Sequence, residues 1–129
     1  MASRAQPPSG GGYDALAVAV LIETTFREFE DSVDGSYRIP PEGRAAILDF
    51  AGNHFDEIAG RAQNVGIDSE EFAQQIVSLT REFLQMVRWD AQNSGSLRLT
   101  SDGRRELPSD MIERNLPSFV ASRCLCWPQ

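Results

Sequence analysis

The chain has 129 residues, 41% hydrophobic and 24% charged, which suits one packed domain and leaves no room for two ordinary ones. Twelve basic against 19 acidic side chains give a net charge of -7, which repels phosphate and favours a protein partner with a basic or neutral surface over nucleic acid. All the basic residues are Arg, so chemistry that needs a Lys amine is excluded, a Schiff base and the Lys of a phosphate-gripping loop included.

Residues 1–12 are rich in Pro, Gly and Ser, carry one charge and lack apolar periodicity, the composition of a disordered tail. The apolar run from Ala15 to Ile22 lies between Asp14 and Glu23 and has no small-residue cleavage site after it. It also falls far short of the roughly 20 residues that span a bilayer, so no transmembrane segment and a cytoplasmic location are expected.

Val18, Ile22, Phe26, Phe29 and Val33 recur at helical spacing and predict a first helix over about 14–33, stopped by Asp34-Gly35-Ser36. Pro40-Pro41-Glu42 opens a second helix over about 41–65, with a stripe of Ile47, Leu48, Ala51, Phe55, Ile58, Ala59, Ala62 and Val65. Asp68 and Glu71 form an Asx version of a capping box ahead of Phe72, Ile76, Leu79, Phe83 and Met86. A second set, Ala73, Val77, Leu84 and Val87, widens that stripe, so the third helix needs more than one neighbour. It is expected to end near Asn93, at Ser94-Gly95.

Three amphipathic helices joined by short loops predict an all-α fold, an antiparallel three-helix bundle over 13–95. Residues 96–129 read as a C-terminal arm packing on the bundle or on a partner. In it Leu97-Arg98-Leu99 alternates like a brief strand, Asp102-Gly103 marks a turn, and Ser109 to Glu113 restarts a short fourth helix that Pro117 interrupts or begins again. Ile39–Leu48 and Leu99–Pro108 share a Glu/Asp-Gly-Arg core, read as two similar helix starts.

Catalytic and metal chemistry find little footing. The one histidine, His54, sits beside Asp56 and Glu57, but the helical wheel puts it at the edge of the Ile47/Ile58 stripe, the place of a half-buried boundary residue. A small metal-dependent enzyme using His54 is the reading it leaves open. Asp31–Glu42 has the length of a calcium loop and fails on residue types, with Val33 at the third position and the glycine one place early at Gly35. Cys124 and Cys126 are too close to staple a core or to complete a zinc site. Cys126 also begins a Cys-Trp-Pro-Gln stretch laid out like a prenylation box, whose middle positions are not aliphatic. No cofactor, metal or catalytic residue is assigned.

The stretch Leu99-Thr100-Ser101-Asp102-Gly103-Arg104-Arg105 resembles the Leu-Thr-x-Glu-Gly-Arg segment near the wing of winged-helix repressors. The resemblance implies a DNA-binding regulator. Against it, the helix before this segment is long and carries Glu70, Glu71, Glu82 and Asp90, the wrong sign for phosphates.

The chain is therefore read as a small acidic helical protein-interaction module, an adaptor, inhibitor or accessory subunit. Met86, Trp89, Phe119, Leu125 and Trp127 are its expected apolar contacts, in a homodimer or with another protein, and Arg98, Arg104 and Arg105 orient the partner. On this reading, truncation after Pro108 abolishes binding and leaves helicity largely intact.

Overall fold

The computed structural model describes residues 14–32 and 36–123. In chain order they form α1 (Ala15–Ser32), β1 (Tyr37–Arg38), α2 (Pro41–Asn64), α3 (Ser69–Ser94), β2 (Arg98–Leu99), β3 (Arg105–Glu106) and α4 (Ser109–Arg123). The fold is mostly helical, with four helices and a small three-stranded sheet.

The helix ends follow from local chemistry. Asp14 accepts the Leu16 N–H at the start of α1 at 3.0 Å, and Asp68 caps α3 by accepting the Glu71 N–H at 2.8 Å. Pro41 stands in the first turn of α2, where a missing N–H costs nothing. Both α2 and α3 stop in Schellman turns. In each, a left-handed glycine, Gly66 or Gly95, lets the next residue's N–H return to an orphan carbonyl, Ile67 to Ala62 and Ser96 to Ala91, both at 2.9 Å. Within α1, Val18, Ile22, Phe26 and Phe29 are buried as the periodicity requires, while Val33 lies outside the described residues.

The broad face of α3 does have two neighbours, and they are α1 and α4. Here the expected grouping of three helices with an arm gives way. α1 packs on α2 and α3, and α4 packs on the same two helices, so the four close a ring around one core. Met111, Ile112, Leu116 and Phe119 of α4 are buried in it, as is Leu107 just before. α4 runs unbroken through Pro117, an exposed position where the bond that proline cannot make faces water. Gly43 allows this close docking: a Cβ there would lie 2.5 Å from Ile112 Cδ1.

The strands tie the helix ends together. β2 and β3 form an antiparallel hairpin with Arg98 opposite Glu106, and β3 also pairs in parallel with β1, Tyr37 opposite Arg105. The hairpin answers the strand-and-turn signal at Leu97–Gly103, whereas β1 carried no legible signal, being two residues whose partner is far along the chain. The shared Glu/Asp-Gly-Arg core adopts two conformations, Glu42-Gly43-Arg44 within α2 and Asp102-Gly103-Arg104 in the hairpin turn with Gly103 at φ 83°. The second is therefore no helix start. Glu30, 8% exposed, holds the junction: its Oε2 accepts the Ile39 N–H at 2.8 Å and an Arg44 N–H at 2.7 Å.

Candidate functional site

α2 and α3 each lean on α1 and α4, and their backbones come close to one another at few points. Between them the core is incompletely filled. The gap is a cleft with about 60 Å³ of free space, floored by Ile22 of α1. Ile47, Phe50, Ala51 and Ile58 wall it from α2, Ile76, Leu79, Thr80 and Phe83 from α3, and Leu116, Phe119 and Val120 from α4. Phe50, Ala51, Ile76, Leu79 and Val120 are half-buried, so the cleft opens to the surface along the α2–α3 seam.

The walls are chemically quiet. Thr80 is the one hydroxyl among them, and it donates to the Ile76 carbonyl at 2.8 Å, which presents its methyl to the space. Nothing there can act as nucleophile, acid or base. Outside the rim the character changes. The His54 ring lies against that of Phe50, tilted by 45° with centroids 4.5 Å apart, and its Nδ1 lies 3.4 Å from Glu57 Oε1. Glu71 and Glu82 border an adjoining shallow concavity that shares Leu79 with the cleft.

Six of the residues expected to bind a partner are described, and they are spread over α3, the hairpin and α4. Trp89 is 62% exposed on α3, and Met86 is half-buried against the core. Arg98 and Arg105 are exposed on the hairpin. Arg104 turns inward: its Nη2 donates to the Tyr37 carbonyl at 2.7 Å and lies 3.9 Å from Glu30 Oε1, so it braces the hairpin against β1. Phe119 is a core residue, 6% exposed, with its ring 5.2 Å from that of Phe83. Leu125 and Trp127 lie outside the described residues, as do Cys124 and Cys126. Sequence reasoning found most of the cleft's walls as core stripes. It missed the cleft itself, because a stripe shows which side chains turn inward and not whether two facing helices meet.

His54 is half-buried at the cleft's lip, with its side chain 34% exposed. No group of three His, Cys, Asp or Glu side chains is placed to hold a metal ion among the described residues. Nor is any helix among them long and apolar enough to cross a membrane. Comparison with protein families, with curated proteins and with solved structures finds no match for this chain.

Proposed function

We propose that this protein is a small acidic interaction module of the cytoplasm, an adaptor or accessory subunit, which captures another protein by an aliphatic anchor side chain inserted between α2 and α3. The observation that carries this reading is the apolar cleft left open along that seam. Its size selects the anchor. An apolar cavity of about 150 Å³ admits benzene, so a space of about 60 Å³ takes a branched aliphatic group rather than an aromatic ring. The carboxylates around it and the net charge of -7 favour a basic segment and speed its approach, with an association rate that falls as salt rises. A helix or extended peptide that lays one apolar residue into the slot is the recognition mode that fits.

The test uses Arg-rich amphipathic peptides that differ only at one central position, Leu or Ala. Tight binding of the Leu peptide, weak binding of the Ala peptide and loss of both in Ala51→Phe, which fills the slot from its half-exposed wall, support the reading. Equal binding of the two peptides, or none to the wild type and to variants of the segment after α4, overturns it.

A second reading, a DNA-binding regulator of winged-helix type, draws on one observation: Leu99–Arg105, the wing-like stretch, folds as a hairpin directly after α3. The acidic residues of α3 and the inward turn of Arg104 weigh against it. A mobility shift that weakens steeply with salt would support it, and no shift at low salt ends it.

A further inference from the structure

A second depression follows the seam between α1 and α3. The two helices run parallel there: Leu21 lines the depression together with Ala73 and Val77, and further along both helices Glu28 Oε1 lies 3.6 Å from Arg81 Nη2. It is a shallow groove of about 440 Å³, with Leu21, Ala73 and Val77 half-buried in it and Gln74 and Ser78 exposed at its edge. On α1, Leu16 and Val20 are 73% and 56% exposed, so apolar surface continues beyond the groove.

The ends of the groove carry opposite charge. Glu70 closes one and Arg81 the other, roughly 16 Å apart along α3 at 1.5 Å per residue. Arg81 and Glu28 are each more than half exposed. An exposed pair of this kind is weak, and a guanidinium with five N–H donors has more to give. The row along α3 also reads in reverse. Laid against an antiparallel copy of itself about a point between Gln75 and Ile76, Glu70 faces Arg81, Ala73 faces Ser78 and Gln74 faces Val77, each pair occurring twice. The charged ends then meet as opposites, and the small residues let the two backbones approach. A parallel arrangement sets Glu70 on Glu70 and Arg81 on Arg81, so charge selects the antiparallel one.

We propose that this groove is where a second copy of the chain docks, α3 against α3 in opposite directions across a two-fold axis. Each Arg81 then lies between Glu28 of its own copy and Glu70 of the other, and Leu21, Ala73 and Val77 leave water in both copies. The contact is separate from the cleft between α2 and α3 and stands or falls without it.

The test is sedimentation velocity on the full chain over a range of concentrations, comparing the wild type with Glu70→Arg, Arg81→Glu and the two combined. The expected result is a monomer–dimer equilibrium that each single substitution weakens by about tenfold or more, because it sets two like-charged pairs across the axis. The double substitution restores opposite charges there and is expected to recover most of the loss. Melting by circular dichroism stays cooperative in all three, since both positions are exposed. Val77 methyl resonances are expected to move with concentration in the wild type and to stay still in Arg81→Glu. A chain that remains monomeric at millimolar concentration overturns the proposal, whether the Val77 methyls are then shielded by the chain's own N-terminal residues or left open. A dimer that the single substitutions leave intact overturns it too, because its contact lies elsewhere. So does a dimer that both single substitutions weaken and the double one fails to restore, because Glu70 and Arg81 then do not face each other.

Discussion

Glu30 shows how one side chain ties α1 to α2 and to the segment that leads into it. Its carboxylate sits at the end of α1 and receives the backbone N–H of Ile39, a residue fully enclosed, together with the Arg44 guanidinium from the first turn of α2. In Glu30→Ala the half-exposed Arg44 regains water, but the Ile39 N–H cannot. A loss of about 2–3 kcal/mol in urea unfolding is the expected result. The hairpin turn offers a test by pH. The Thr100 hydroxyl donates to the Asp102 carboxylate and holds that carboxyl below its ordinary value of 3.8. Because the folded value is the lower one, the turn's contribution is complete above the unfolded value and is lost as pH falls through the folded one, below 3.8. An NMR titration of the Asp102 carboxyl carbon checks this, with Thr100→Val expected to move the midpoint upward. Both residues were quoted in the sequence for a resemblance to a wing, and neither interaction was legible there, since each depends on how the chain turns back on itself.

At the scale of elements, α2 and α4 meet through a missing side chain. Gly43 brings the α2 backbone against Ile112, so a larger residue there must push the helices apart or force Ile112 off its rotamer. Gly43→Val is expected to lose about 1–3 kcal/mol, measured by chemical denaturation, although valine is a better helix former than glycine. The same substitution at Gly52, where a Cβ meets nothing, isolates the packing cost from the backbone effect. The first three helices were readable within a residue or two, because their periodicity and their stops are local, whereas the fourth was expected to break or restart at Pro117 and runs through it to Arg123. The sheet was readable only in part. Its hairpin is local and has a turn dipeptide, while β1 exists because β3, 68 residues further on, pairs with it.

At the scale of the molecule, α4 is part of the core. Removing everything after Pro108 strips Met111, Ile112, Leu116 and Phe119 from the ring and exposes the far side of α3. Each large apolar side chain contributes on the order of 1.5–3 kcal/mol by burial, and a domain's whole stability is only about 5–15 kcal/mol. The truncated chain is therefore expected to lose its cooperative melt in calorimetry or circular dichroism, in place of the retained helicity that an appended arm would allow. Phe119 belongs to the same account, holding Phe83 rather than a partner. What the sequence by itself determined is everything written in short-range pattern: a mostly helical chain, the ends of its first three helices, their inward faces, and an acidic composition devoid of lysine. What only the tertiary structure decided is which faces meet. Periodicity turns apolar side chains to one side of a helix but does not choose among the neighbours that could cover them. Here α1 and α4 took both flanks of α3, leaving the seam with α2 unfilled, and that seam is the cleft on which the functional reading stands.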